Sequence, residues 1–230
     1  MTAQGGFESV LDYLSGEIMH GRVAPGTRLP NERELAARLG ASRSAVREAI
    51  KVLHAQGVVT THPGATGGTR VASHPGDAFG RMLKLHVALD TISMRELTQT
   101  RMVLERAAAE VAATRRDDEG LAELDHLLTL QQSWATAQAF HDLDTAFHLA
   151  VARMGDNRLV RDLTIAIREA VASHILAAEN IAPDWERLRP RLVEEHRGIV
   201  AAIRLGDADA AGRLAADHVR SSHSALRLLD

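Results

Sequence analysis

Asp144 and His148 stand four residues apart in the run LDTAFHLAV, residues 143–151. On a helix that spacing sets a carboxylate and an imidazole on the same side. The run is otherwise apolar, and a polar group turned toward an apolar interior is costly unless something pairs with it. At about 100° per residue, Asp144 falls inside the arc Phe140, Leu143, Phe147, Val151 and Met154, with His148 at its edge. His196 lies near the centre of the arc Trp185, Leu188, Leu192, Ile199 and Ile203. His218 is central to Ala211, Leu214, Ala215, Ala225 and Leu229. One inward histidine is ordinarily a neutral ring hydrogen-bonded to a neighbour. Three histidines and an aspartate on inward faces are all satisfied by one divalent metal, and imidazole with carboxylate suits Zn, Ni, Mn or Fe.

Two more polar residues face the same interior. Arg101 sits amid Leu97, Leu104, Ala108 and Val111. A guanidinium keeps its charge and so requires an anion, either an internal carboxylate such as Glu105 or Asp144, or the carboxylate of a bound ligand. His174, beside Leu163, Ala170 and Val171, is expected to line a pocket or fill the core.

A second chemistry is written near the N-terminus, in NERELAARLGASRSAVREAIKVL. Leu35, Ala36 and Leu39 form the inner face of one helix; Val46, Ala49, Ile50 and Leu53 form that of the next. Gly40 suits the sharp exit between them and Ser42 can cap the second helix. That layout is a helix-turn-helix. The outer face of the second helix carries Arg43, Ser44, Arg47 and Lys51, where arginine forks could meet guanine edges in a major groove. Arg33 precedes them on the first helix. The β-branched runs 58–61 and 69–71 flank a Pro/Gly-rich turn and predict a hairpin wing, with Gly67 and Gly68 able to approach the sugar-phosphate edge. The plain alternative is a solvated helix face in which these cations pair with Glu32, Glu34 and Glu48.

The elements that must hold these residues are mostly helical. Apolar periodicity predicts helices near 7–20, 31–38 and 43–56, then 78–89, 93–114, 119–136, 138–154, 157–178, 184–205 and 207–229. Gly155-Asp156 and Gly206-Asp207 suit the breaks between the later ones. The expected fold is mainly α: a winged helix-turn-helix domain (1–72), a linker (73–80) and an all-helical body of about seven helices (81–230). The low aromatic content of 3 %, with abundant Ala, Leu and Val, favours close helix packing. Charge divides along the same boundary. Residues 1–75 hold eight Lys and Arg against six Asp and Glu, and the remainder 19 against 24, so a net charge of −3 conceals a basic head on an acidic body. No cysteine is present, which excludes disulfides and thiolate metal sites. With no membrane-length apolar run and no signal-like start, a cytoplasmic location is expected.

RLPNERELAARLGASRSAVREAIKVLHAQGVV resembles the DNA-binding domain of the GntR family of bacterial transcription regulators. The resemblance implies DNA contacts at Arg33, Arg43 and Arg47 and a wing tip at GGTR. Asn31 stands where serine is commoner and Ser44-Ala45 where Thr-Pro is usual, departures that bear on operator sequence. TRMVLERAAAEVAA, DTAFHLAVARMGDN, EEHRGIVAAIRLGD and AADHV are similar to segments of the FCD domain, the helical effector domain of the FadR branch. That likeness implies Asp144, His148, His196 and His218 as metal ligands and Arg101 as the partner of an effector carboxylate. It further implies a small organic acid as effector and a homodimer on an inverted-repeat operator of double-stranded DNA. Two other readings are weighed against this regulator: a sensor of the metal alone, and a metal-dependent hydrolase. Catalysis lacks an obvious general base, since Glu195 points about 100° away from His196, and no enzyme is expected.

Overall fold

In the computed structural model, residues 3–64, 67–73, 77–133, 136–182 and 184–226 are described. The chain divides into two compact units, Met1–Phe79 and Gly80–Asp230. The first contains α1 (Ala3–Met19), α2 (Glu32–Leu39), α3 (Arg43–Ala55), β1 (Val59–His62) and β2 (Gly68–Val71). The predicted faces meet: Val10 and Leu14 of α1, Leu35 of α2, and Val46, Ala49 and Leu53 of α3 share one core with Val59 and Val71.

Local chemistry fixes the sharp turn between α2 and α3. Asn31 and Glu34 form a capping box at the start of α2, so asparagine there does the work of the commoner serine. Gly40 ends that helix at φ 60°, a left-handed conformation that costs glycine least. Ser42 then caps α3 by accepting from the Ala45 amide at 3.1 Å. The strands pair antiparallel, from Val59 opposite Val71 to His62 opposite Gly68. The segment before α2 adds to this ribbon: Leu29 N donates to Thr69 O at 2.8 Å and Val71 N to Thr27 O at 2.9 Å.

The second unit is helical. Its elements are α4 (Asp77–Ala88), α5 (Met94–Arg115), α6 (Asp118–Ser133), α7 (Ala137–Arg153), α8 (Arg158–Ile181), α9 (Trp185–Leu205) and α10 (Ala208–Ala225). Residues 77–80 of the expected linker are therefore helical, while 74–76 lie outside the described residues. The break before α8 is capped by Asn157, one residue past the expected Asp156, through bonds to the Leu159 and Val160 amides. Gly206 and Asp207 act as anticipated, ending α9 and capping α10.

Small residues bring α5 and α10 close. Ala108, Ala109, Ala112 and Ala113 of α5 are buried, as are Ala211, Gly212, Ala215 and Ala216 of α10. A Cβ on Gly212 would come within 2.6 Å of Glu110 Cγ. This narrow contact displaces two members of the expected α10 arc: Leu214 is 39 % exposed and Ala225 is also exposed. Leu229 lies outside the described residues. Around that contact, Leu124 and Leu128 of α6, Phe147 and Val151 of α7, and Ile199 and Ile203 of α9 complete one core. A second core joins Leu97, Phe140, Ile167, Val171, Leu188 and Leu192.

A close-packed alanine seam has no room for a larger side chain. Ala112→Leu should therefore destabilise the helical unit by about 1–3 kcal/mol, seen as a lowered thermal midpoint for that unit in calorimetry. An unchanged midpoint would show that the seam yields.

Candidate metal centre and candidate nucleic-acid interface

Asp144 and His148 of α7, His196 of α9 and His218 of α10 converge inside the helical unit. One ligand atom from each of the four lies within 4.8 Å of the others. The three histidines are at most 4 % exposed, and the Asp144 side chain is 14 % exposed. His196 Nε2 lies 3.1 Å from His218 Nε2 and 3.4 Å from Asp144 Oδ1. His148 Nε2 lies 3.7 Å from the same carboxylate oxygen. Phe147 stacks on the His196 ring, centroids 4.1 Å apart.

The far side of each ring decides what the near side can do. His148 Nδ1 is held by Glu105 Oε2. His218 Nδ1 bonds Glu195 Oε2 at 2.9 Å, and His196 Nδ1 bonds Gln131 Oε1 at 2.9 Å. Carboxylate and amide oxygens only accept, so each neutral ring carries its proton on Nδ1 and directs an Nε2 lone pair inward. Outer partners that fix the tautomer in this way are the usual companions of metal-ligating histidines. Two lone pairs facing each other at 3.1 Å repel unless a cation lies between them. A direct hydrogen bond between the two rings would need the proton on Nε2 of one of them. For His196 that means a reversed Gln131 amide, and His148 Nε2 would still be buried without a hydrogen-bond partner. The residues present thus fit a divalent ion with three nitrogen donors and one oxygen donor.

Charge supports the same arrangement. Burial opposes ionisation of Asp144, but His148, Arg168 and His196 hold its carboxyl well below the usual carboxylate range. Burial, reinforced by the charge of His218, pushes the His196 ring well below its ordinary value, so it is neutral. Burial also lowers His218, against the pull of the Glu195 hydrogen bond.

The anion required by Arg101 is internal: its Nε donates to Glu105 Oε1 at 3.1 Å, and the side chain is 7 % exposed. Glu105 also receives Arg168 Nη2 at 3.3 Å, while Arg168 Nη1 donates to Asp144 Oδ2 at 3.0 Å. Arg168, Glu105, Gln131 and Glu195 are the site residues that periodicity did not single out for the centre. Glu105 carried a signal in its i+4 spacing from Arg101, and Glu195, set aside as pointing away from His196, reaches the neighbouring His218 ring instead. His174 is a correction. The buried stripe of α8 advances by fours through Ile167, Val171, Ile175 and Glu179, which leaves His174 exposed instead of lining a pocket or the core.

In the first unit, Arg33, Arg43, Ser44, Arg47 and Lys51 are all exposed. Two of the cations are paired as the plain alternative supposed. Arg47 makes a forked contact with Glu32, Nε to Oε1 at 3.1 Å and Nη2 to Oε2 at 2.8 Å, and Lys51 contacts Glu48 at 2.9 Å. Ser44 Oγ lies 2.9 Å from Ser42 Oγ. Gly68 borders the wing at φ 119° with the Arg28 guanidinium beside it, a cation that the motif reading passed over. Gly67 is a second correction. It is buried, its N–H donates to Gly64 O at 3.0 Å, and a Cβ there would lie 2.1 Å from His62 O. It shapes the turn and has no free N–H to offer a phosphate.

Comparison with known proteins agrees with both halves. Residues 7–71 match the family of bacterial regulatory proteins named gntR, and residues 96–221 match the FCD domain. The galactonate operon transcriptional repressor of Escherichia coli K12 is 28 % identical over 223 residues, 96 % of each chain. The transcriptional regulator LutR of Bacillus subtilis 168 is 28 % identical over 192 residues, covering 83 % of this chain and 87 % of that one. Among solved structures, Streptococcus agalactiae GntR aligns with a TM-score of 0.64 at 27 % identity, over 94 % of this chain and 98 % of that one. These relatives are regulators of transcription and not enzymes. The chain belongs to the FadR-like branch of the GntR family and is a DNA-binding transcription regulator with an FCD effector domain.

Proposed function

We propose that operator affinity is set by a small organic acid bound at a divalent metal, zinc in the first instance, held by Asp144, His148, His196 and His218. The observation that carries this reading is the anchoring of all three rings through Nδ1, by Glu105, Gln131 and Glu195, which leaves every Nε2 turned to one locus. When bound, the ion supplies a Lewis-acid anchor for a carboxylate. Charge favours an anion there. Arg101 and Arg168 are balanced by Glu105 and Asp144, and Glu195 by Arg191, so a dication leaves positive charge in excess. Arg101 completes the effector's carboxylate site by sharing its guanidinium between Glu105 and the ligand. One relative represses an operon named for galactonate, a sugar acid.

The cavity beside His148 is small, about 10 Å3, and is lined by Glu105, Phe147, Thr164, Ile199 and Ala215 among others. An organic acid therefore enters only if these helices part, and that difference between liganded and free forms is what ligand binding can transmit. In the first unit, Arg33, Arg43, Ser44, Arg47 and Lys51 face the duplex, with Gly68 at the wing. Arg47 exchanges its Glu32 partner for DNA as it docks. Two copies of the chain meet an inverted repeat in the cytoplasm.

Three outcomes test this reading. Metal analysis of the purified protein should find about one ion per chain, with His148→Ala and His196→Ala losing both the ion and the response to organic acids while operator binding stays measurable. Variants that keep a normal response would remove the metal from the mechanism, and a full response to metal alone would identify a metal sensor. Glu195→Gln should weaken metal affinity by roughly ten- to a hundredfold, the usual effect of losing an outer-sphere partner; competition with a chromophoric chelator measures it. Arg47→Ala should weaken operator binding by about tenfold or more, and Glu32→Gln should tighten binding to any duplex by freeing Arg47. Equal losses for Arg47→Ala on operator and random DNA would assign it to phosphate.

A further inference from the structure

One face of the first unit is cationic and plays no part in the contacts assigned to α3. Segments 18–31 and 49–76, which include the wing and the stretch paired beside it, contain no aspartate or glutamate. Across that ribbon Arg28 stands opposite Arg70 in an antiparallel bridge. The flanking bonds, Leu29 N to Thr69 O and Val71 N to Thr27 O, leave the two arginines without mutual backbone bonds, the register in which side chains stand closest. Like charges set directly opposite each other are destabilising, and these two lean apart along the ribbon. Arg28 lies over Gly68, where a Cβ would come within 2.9 Å of its Nε, and Arg70 Nη1 donates to Gly26 O at 3.1 Å. Thr60 and His62 of β1, opposite Arg70 and Gly68, complete the same face and are exposed. Arg22, Arg47 and Lys51 of this unit each have a carboxylate partner, and among the described residues Arg28 and Arg70 have none.

We propose that this face is a second DNA contact, in which Arg28 and Arg70 each hold a backbone phosphate of the duplex outside the groove that α3 enters. Two cations without a carboxylate repel each other until anions join them, and neighbouring phosphates supply two. The face consists of arginine, threonine, histidine and glycine, groups that bond phosphate, and lacks the apolar anchor on which a protein partner packs. Gly68 serves the contact by leaving room for the Arg28 guanidinium. Phosphates are alike in every sequence, so the wing adds affinity and register while base selection stays with α3. The contact goes beyond the α3 reading and needs neither the metal nor an organic acid.

The test follows binding of the full chain to a short random-sequence duplex by fluorescence anisotropy over a range of salt. Arg28→Gln and Arg70→Gln should each weaken binding several-fold, and each should make the plot of log affinity against log salt shallower by about one per bound chain. Arg28→Lys, which keeps the charge, should retain the slope. Arg153→Gln, which removes an equal charge from the second unit, should leave it unchanged. Arg28→Gln breaks no side-chain hydrogen bond among the described residues, so it carries the test if Arg70→Gln disturbs the wing. A slope unaltered by Arg28→Gln, or a loss no greater than that of Arg153→Gln, overturns the proposal, as does a loss that appears on one duplex sequence and not on another. Arg47→Ala in the same series keeps the two surfaces apart: a loss there with none at Arg28 leaves the α3 face standing and removes the wing contact alone.

Discussion

A single carboxylate, Glu105, holds the interior of the helical unit together. It is 4 % exposed and surrounded by Arg101, Arg168 and the His148 ring. Burial opposes its ionisation, yet Arg168, His148 and Arg101 hold it well below the usual range. A buried charge of this kind is tolerable only while every partner stays in place. The group ties α5 to α7 and α8, orients one candidate metal ligand directly and reaches a second through Arg168 and Asp144. The polar centre is therefore one connected network, in which a change at any member is felt at the others.

Much of this was legible from periodicity. The arcs that placed Asp144, His148, His196 and His218 inward rest on apolar repeats, and the four residues do converge. Capping chemistry located the helix-turn-helix, where Asn31, Gly40 and Ser42 each perform a local task that does not depend on distant contacts. What periodicity could not supply was depth and cross-helix pairing. Gln131 looks like any polar residue in a helical run, and its value comes from lying opposite His196, 65 positions away. Arg168 was hidden because α8 carries a drifting stripe, and the same drift turned His174 outward. Leu214 misled for another reason: the partner of α10 is an alanine seam, so contact there favours small residues over large ones.

The two units use charge in opposite ways. At the centre of the helical unit opposite charges are buried and locked together around Glu105, which gives position at the expense of mobility. In the first unit the ion pairs are exposed, as with Arg47 and Glu32 or Lys51 and Glu48. Exposed pairs of this kind are weak and exchange readily with other anions. The pairing that a cautious reading treats as an argument against nucleic-acid contact is thus compatible with it, because a phosphate can take the place of an exposed carboxylate beside the same cation.

The alanine and glycine seam between α5 and α10 has a consequence for how such a sensor could be altered. Backbones that approach this closely leave only Ala108 and Ala215 to line one side of the cavity beside His148, whereas its other walls carry the larger side chains of Phe147, Thr164 and Ile199. The shape of that cavity can then be changed by exchanging those side chains, without touching the seam that holds α5 against α10. Attempts to enlarge the cavity from the alanine side would meet backbone instead of side chain and would unsettle the whole domain first.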